Sequence, residues 1–456
     1  MKKIFYSVVV FAVTFLPVQA ITLEDALIAA FLNNKEWAAN KTDKNAAEAR
    51  YKQAVLAFLP NVSGTVSTTR ERDDKHRKVF KLDAGTTNTE TTGTNMSLTV
   101  SQNIFSGFST TNTMAAAEHS NNAAFHKLRS EEQTLVLNVV NAYTEIWFCR
   151  KRLDALKKMV ENLKNTMQAQ QSSFEAGMAT PTDVAEAESK YQGAIYSMIN
   201  SETELMTAEA DFERLTGKQA DDDMSLPDFP FELPKSLEKL MEKAMTSNSS
   251  INMTKLQEQA ALKNLSAVRG RLSPSCDASL TASRSLSKER TSYVEEDTGR
   301  NHYSASVSVT VPIFSNSNGS NTYSQIEIAN QEALKARFTA EDTVLKVKRE
   351  CVVNWNKYKS AIAMIKASRS AVKSAELSSE GNIEETALGM KSNTDVWAKE
   401  NNLLESRVNL AKSQKERIVA AVTLLSLTGD LSVNSILSNM NIQKKKYNKQ
   451  NQQIKG

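Results

Sequence analysis

Apolar residues along this chain follow two different spacings. Between residues 146 and 167 they recur at alternating intervals of three and four, which is the seam of a coiled-coil helix. A shorter seam of the same kind lies between residues 355 and 365. In four other segments apolar residues alternate with serine and threonine, which predicts strands with one apolar and one small polar face. The seam residues are Ile146, Cys149, Leu153, Leu156, Val160, Leu163 and Met167 in the first stretch, and Trp355, Tyr358, Ile362 and Ile365 in the second.

The four alternating segments have the features of strands that cross a membrane. They are predicted at about residues 60–72, 94–105, 274–287 and 303–314, and about ten residues suffice for a tilted spanning strand. Their polar faces carry few charges, which suits a water-filled lumen. Arg284 falls on the apolar phase of its strand and would have to lie near the lipid headgroups. One such strand alone would favour a soluble sheet resting on helices, but four matching strands favour a membrane role.

Four strands are too few to close a membrane barrel. An open sheet edge in lipid leaves backbone groups unpaired at several kcal/mol each, and the smallest closed barrels have about eight strands. Several chains must therefore share one barrel, and the fold requires an oligomer. The polar stretches at about 70–93 and 288–302 are predicted as loops on the outer side.

The mature sequence is one unit written twice. We assign residues 21–235 to the first repeat and 236–432 to the second, followed by a polar basic tail at 433–456. Among the recurring segments, Thr22-Leu23-Glu24-Asp25-Ala26-Leu27 returns as Ser236-Leu237-Glu238-Lys239-Leu240-Met241, and Leu215-Thr216-Gly217 returns as Leu427-Thr428-Gly429. Each repeat is expected to contribute the same order of helices and strands.

Both repeats contain a very long helix, predicted at about 110–176 and about 319–388. At about 1.5 Å per residue these helices reach roughly 100 Å, which a compact globular core does not need. A further helix closes each repeat, at about 181–216 and about 392–428. The predicted fold class is therefore α+β, mainly α, with long coiled-coil helices and four strands per chain.

The first 20 residues have the pattern of a secretory signal peptide. Lys2 and Lys3 precede a short apolar run, and Val18-Gln19-Ala20 gives small residues at the cleavage positions. A membrane anchor is the alternative, but the apolar run is short for about 30 Å of hydrocarbon. Scarce glycine (14) and proline (8) favour long helices, and a net charge of +4 with mixed signs argues against nucleic-acid binding.

The sequence offers little catalytic or metal-binding chemistry. Its three cysteines are widely spaced and lack a CxxC pair, which predicts neither a disulfide framework nor a metal site. His119 and His126 are seven residues apart on one helix, too far for a two-histidine site. No nucleophile–histidine–acid set or phosphate-binding glycine loop occurs in a plausible context. We therefore predict no enzyme and no cofactor.

The order and duplication of these features resemble the TolC family of outer-membrane efflux and type I secretion channels. The resemblance covers nearly all of the mature chain, but not the tail after Lys444. The residues that carry it are Leu59-Pro60-Asn61, Ile104-Phe105-Ser106-Gly107, Val311-Pro312-Ile313-Phe314, the turns Gly177 to Val184 and Gly389 to Val396, and the paired Leu-Thr-Gly motifs.

The resemblance implies a homotrimer in the outer membrane of a Gram-negative cell, with a large periplasmic portion. In that family each of three chains gives four strands to a shared 12-stranded β-barrel, which continues into a periplasmic α-helical tunnel. The implied partners are outer-membrane lipid, a periplasmic adaptor protein and an inner-membrane ABC or proton-driven transporter. Export of proteins and export of small molecules both remain open.

Two helix-to-helix turns contain the candidate site. Gly177 and Gly389 are predicted to end the long helices with positive φ, and Thr180 and Ser392 to cap the helices that follow. Pro181 takes the first helical position after the first turn. Capping alone explains both glycines.

The family resemblance adds a gating role for the aspartates. There this region is the closed periplasmic entrance, where a Thr-Asp pair of the first repeat bonds to a Tyr and an Arg of the second. Thr182 and Asp183 match the pair, whereas the partner positions hold Thr386 and Lys391. Of two acidic-ring positions, Asp395 is kept and the other is an alanine. We predict a weaker latch, because lysine lacks the bidentate fork of arginine.

Two other classes of protein remain as alternatives. A secreted or surface coiled-coil structural or adhesion protein would explain the heptads but not the four alternating strands. An enzyme has no site to support it.

Overall fold

The computed structural model describes residues 21–79, 82–221, 224–226, 233–291, 294–313, 316–317, 320–388, 390–391 and 393–431. The predicted signal peptide, the predicted tail, Phe314, Gly389 and Ser392 lie outside these ranges. In chain order the elements are α1 (Leu23–Asn33), α2 (Lys35–Leu56), β1 (Asn61–Val79), β2 (Leu82–Phe105), α3 (Ser109–Glu175), α4 (Pro181–Thr216), α5 (Leu237–Ser247), α6 (Ser249–Gly270), β3 (Ser275–Thr291), β4 (Glu295–Thr310), β5 (Asn316–Ser317), β6 (Ser320–Asn321), α7 (Thr322–Ala387) and α8 (Asn393–Leu427).

The chain folds into two compact units. The first contains the described residues of Met1–Ala38, Glu131–Asn248 and Val347–Gly456, and the second contains Ala39–Ser130 and Ser249–Lys346. The strands β1 to β4 lie in the second unit, and both helix-to-helix turns lie in the first.

The four strands form one antiparallel sheet in the order β1-β2-β3-β4. Their register places the apolar phases on one face. One row across the sheet is Val62, Val100, Leu280 and Ala305, and the next row is Ser63, Thr99, Thr281 and Ser304. The predicted alternation is confirmed, and its apolar side chains are exposed in the isolated chain: Val62 is 60% and Leu280 59% exposed.

The strands extend further outward than the sequence predicts. Residues 73–79 and 82–93, predicted as loop, belong to β1 and β2, and β4 begins at Glu295 instead of 303. These outer segments consist mainly of charged residues, threonine, glycine and asparagine, so they carry no apolar period. At its other end β4 stops at Thr310, because Pro312 has no N–H for the strand ladder.

The core of the first unit lies along α3. Most of the predicted seam is buried there, including Ile146 (0% exposed) and Leu156 (3%). The Tyr143 hydroxyl donates to the carbonyl oxygens of Ile21 and Ser225, 3.3 and 3.0 Å away. Burial raises the pKa of the Cys149 thiol to about 11, as expected of a packing residue. On α7 the seam prediction is partly wrong: Ile362 is exposed, because Ala361 faces the core instead.

Matching asparagines explain why the Leu-Thr-Gly motif occurs twice. The Asn34 amide donates to the Leu215 carbonyl at 3.2 Å, and the Asn248 amide donates to the Leu427 carbonyl at 3.1 Å. Each asparagine therefore fastens the first short helix of its repeat to the last carbonyls of the closing helix, where backbone acceptors lack a helical partner. Gly217 and Gly429 end the two closing helices with φ of 68° and 73°.

Candidate functional site

The turn between α3 and α4 has the predicted cap. Thr180 Oγ1 accepts a hydrogen bond from the Asp183 amide at 3.3 Å, and the Asp183 carboxylate accepts from the Thr180 amide at 2.8 Å. Gly177 has φ of 76°, and Pro181 occupies the first turn of α4. The Thr180 hydrogen bonds, the backbone one first, lower the pKa of the Asp183 carboxyl, so it stays ionised at neutral pH. Thr182 is exposed beside it.

The turn between α7 and α8 carries a local ion pair. Lys391 Nζ lies 2.6 Å from the Glu385 carboxylate of the same hairpin. Hydrogen bonding to Glu385 raises the pKa of Lys391, and Asp395 adds a smaller effect of the same sign. Asp395 is exposed in the first turn of α8. Lys391 and Asp183 are therefore each engaged within their own hairpin, and the latch between them stays a prediction.

One cavity of about 730 Å³ brings parts of both turns together. Thr386 and Lys391, two of the predicted site residues, line it, whereas Thr182, Asp183 and Asp395 do not. Its described lining holds uncharged polar and apolar residues in equal number, and Lys391 is the one charged residue among them. The residues are Asn162, Asn165, Thr166, Ala169, Gln170, Ser173, Met178, Ala179, Ile383, Thr386, Leu388, Lys391 and Val396.

A buried carboxylate at this seam was not predicted. Glu400 of α8 is 4% exposed, and it accepts hydrogen bonds from the Asn162 amide (3.0 Å) and from the Ser379 hydroxyl. These bonds join α8 to α3 and α7. Val396, Glu400 and Leu403 recur at intervals of four and three, and that spacing could have placed Glu400 on a buried face.

Two polar side chains near Ser379 on α7 make no hydrogen bond to the residues that the structure describes. Asn382 is 3% exposed, and within the described part of the chain neither of its side-chain amide atoms makes a hydrogen bond. The Thr386 hydroxyl is unpartnered in the same sense. A buried polar group left unsatisfied costs about 1–3 kcal/mol. The α7 face from Ser379 to Thr386 thus contains one hydrogen-bonded side chain, Ser379, and two side chains whose missing hydrogen bonds destabilise the packed arrangement.

The same helices also meet through apolar packing. Met159, Leu163 and Ala194 form a buried cluster, and Trp397 of α8 packs against it. Lys190 of α4 lies over the Trp397 ring, 4.2 Å from its centroid. Apolar and polar contacts therefore occur along the same stretch of the seam between the hairpins, where Asn162 adjoins Leu163 and Glu400 follows Trp397 by three residues.

Membrane-crossing helices and metal clusters are both absent from the described ranges. The helices there hold no apolar stretch of the length needed to cross a bilayer. The same residues include no group of three or more His, Cys, Asp or Glu side chains arranged to hold a metal ion.

A duplicated chain of long helices with a four-stranded, apolar-faced sheet defines a class of outer-membrane channel. The chain matches the family described as "Outer membrane efflux protein" twice, at residues 27–218 and 240–430, and it belongs to that family. The two matched segments fall one in each repeat.

Relatives and solved structures agree with this membership. The outer membrane efflux protein BepC of Brucella suis is 26% identical over 415 residues, covering 91% of this chain and 87% of that protein. Outer membrane protein TolC of Escherichia coli is 22% identical over 433 residues, covering 92% and 84%. The crystal structure of the Campylobacter jejuni CmeC outer membrane channel has a TM-score of 0.73 at 15% identity, covering 92% and 90%.

The protein is thus a TolC-like outer-membrane efflux and secretion channel with a large periplasmic portion. Three chains make the channel, and the four-stranded sheet is each chain's share of the barrel. The predicted family and fold class are confirmed, and the alternative of a coiled-coil adhesion protein is not favoured.

Proposed function

We propose that the two helix-hairpin turns form the periplasmic entrance of this channel and hold it closed at rest. The main support is the cavity into which Met178 and Ala179 of the first turn and Leu388 and Lys391 of the second all project. A polar seam with unpartnered groups separates more easily than an apolar one, because water satisfies those groups on opening. The entrance end of the hairpins is therefore the part suited to move.

The channel, in this proposal, moves its substrate without catalysing a reaction on it. A periplasmic adaptor and an inner-membrane transporter, ABC or proton-driven, would deliver the substrate and supply the energy. Among the relatives, BepC is named an efflux protein and AprF of Pseudomonas aeruginosa an alkaline protease secretion protein. Both substrate classes are therefore compatible with this chain, and the inner-membrane partner would decide between them.

Replacing Asp395 with alanine is expected to reduce the preference of the channel for cations several-fold. Three copies of this exposed carboxylate, one per chain, would ring the entrance and concentrate cations there. The measurement is the reversal potential in planar bilayers under a salt gradient. Glu405→Ala, at an exposed position on the same helix, is the matched control. Equal selectivity in wild type and Asp395→Ala would exclude the acidic ring.

Replacing Lys391 with alanine is expected to raise the frequency of channel opening if Lys391 latches the second hairpin to Asp183. Glu385→Ala is the control, because it removes only the ion pair inside the second hairpin. Single-channel recording would compare both variants with wild type. An unchanged opening frequency in Lys391→Ala would rule out the latch, as would an equal rise in Glu385→Ala.

A further inference from the structure

The lipid-facing side of the sheet changes from apolar to polar side chains near one row of residues. Rows closer to the helices are apolar, such as the row of Val62 and Leu280. The row of Val66 and Met96 is the last apolar row on β1 and β2, and in that row β3 contributes Arg284 and β4 contributes Asn301. Arg284 therefore lies close to the outer edge of the apolar band, with only Leu286 as an apolar residue in the next row on this face.

Two cations further out on this face are paired with carboxylates. Arg70 lies 3.2 Å from Glu90, and Lys288 lies 2.6 Å from Glu295. Arg284 is exposed, and it makes no hydrogen bond or ion pair with any residue that the structure describes. Its register neighbours, Met96 and Asn301, carry no charge. The described part of the chain thus supplies no anion for this guanidinium.

An unpaired arginine at this level needs an anion in the surrounding lipid. A charge inside the hydrocarbon is costly, and a long side chain avoids the cost by extending to the interface. Guanidinium binds phosphate oxygens through two parallel hydrogen bonds. We propose that Arg284 binds a phosphate group of an outer-leaflet lipid, with the Asn301 amide beside it as a second donor.

The position of Arg284 favours a lipid over a soluble anion. On β3 it stands between Ala282 and Leu286, two residues away on either side on the same face. A ligand that reaches the guanidinium therefore also contacts apolar side chains, which acyl chains cover and a free anion does not. The proposal rests on the outer-membrane placement of the sheet and is independent of gating at the periplasmic entrance.

The test uses the purified full-length trimer in nanodiscs of phosphatidylcholine that contain lipid A or dephosphorylated lipid A. Native mass spectrometry after release from the nanodisc measures how much lipid A each trimer retains. We expect Arg284→Gln to lower the apparent affinity for lipid A about tenfold, the loss of one charge-assisted contact. The dephosphorylated lipid should bind wild type as weakly as lipid A binds the variant.

Arg300→Gln is the matched control. Arg300 pairs with Ser285 in the next row, so it projects to the opposite, lumen face of the sheet. It should retain lipid A as wild type does. Equal retention by wild type and Arg284→Gln, or an equal loss in Arg300→Gln, would overturn the proposal. So would displacement of lipid A by millimolar inorganic phosphate, which would indicate a site for soluble anions.

Discussion

Replacing Gly270 with alanine is expected to prevent most chains from assembling into the trimer. Gly270 ends α6, where its α-carbon faces the turn between β2 and α3. A β-carbon there would overlap the carbonyl oxygen of Gly107 and lie 3.1 Å from the amide nitrogen of Ser109. Both neighbours are backbone atoms of the junction, so they cannot move aside as a flexible side chain would.

Gly107, on the other side of the junction, is restricted in the same way as Gly270. Gly107 has φ of 61°, and a β-carbon on it would overlap the carbonyl oxygen of Gly270. Overpacking against fixed backbone costs about 1–3 kcal/mol or more, and 1.4 kcal/mol is a factor of about ten in an equilibrium. We therefore expect the fraction of chain recovered from the membrane as heat-modifiable trimer to fall by about fivefold to a hundredfold.

Gly64→Ala is the control for that experiment. Gly64 lies in β1, and a β-carbon there would meet no atom within 4 Å. Its alanine variant should assemble as wild type does. Equal trimer yields from Gly270→Ala and Gly64→Ala would contradict the prediction, because they would show that the backbones of residues 107 and 270 can move apart without loss of assembly.

Replacing Glu400 with leucine is expected to raise the open probability of the channel. Leucine in its place leaves the Asn162 amide and the Ser379 hydroxyl without their acceptor in a buried seam. Each orphaned group costs about 1–3 kcal/mol in the closed arrangement and less once water reaches it. Glu400→Leu should therefore raise the open probability in planar bilayers by roughly tenfold or more. Glu405→Leu, on an exposed part of the same helix, should leave it unchanged.

Asn382→Leu, one helical turn from Ser379, should lower the open probability. Asn382→Leu removes two buried amide atoms that lack partners within the described residues and replaces them with an apolar side chain of similar size. The closed state should then become more stable and the open probability should fall. If both leucine variants changed opening in the same direction, the polar seam would not control the entrance.

Elements with a regular apolar period were predictable from the sequence. The seam along α3 and the row of Val62 and Leu280 follow from spacings of three, four and two, because an element with one apolar face repeats its apolar residues at its own period. The outer strand segments were missed because their sequence has no apolar residue at every second position. Only hydrogen bonding to the neighbouring strand extends these strands, and the sequence of one segment does not show that pairing.

The contacts between hairpins were less predictable than the hairpins themselves. The Thr180–Asp183 cap was confirmed because its partners are three residues apart. Glu400 meets Asn162 across 238 positions of sequence, and only the packing of three helices brings them together. The Glu385 partner of Lys391 was likewise not predicted, while the Asp183 contact that the family resemblance implies for Lys391 stays a prediction.

The central claim is that three of these chains form an outer-membrane pore, and single-channel conductance tests it most directly. The purified, correctly folded trimer of mature chains would be added to planar lipid bilayers and recorded at fixed voltage. The account predicts steady, discrete conductance steps that prefer cations. A folded trimer that inserts into the bilayer but conducts no ions would contradict it.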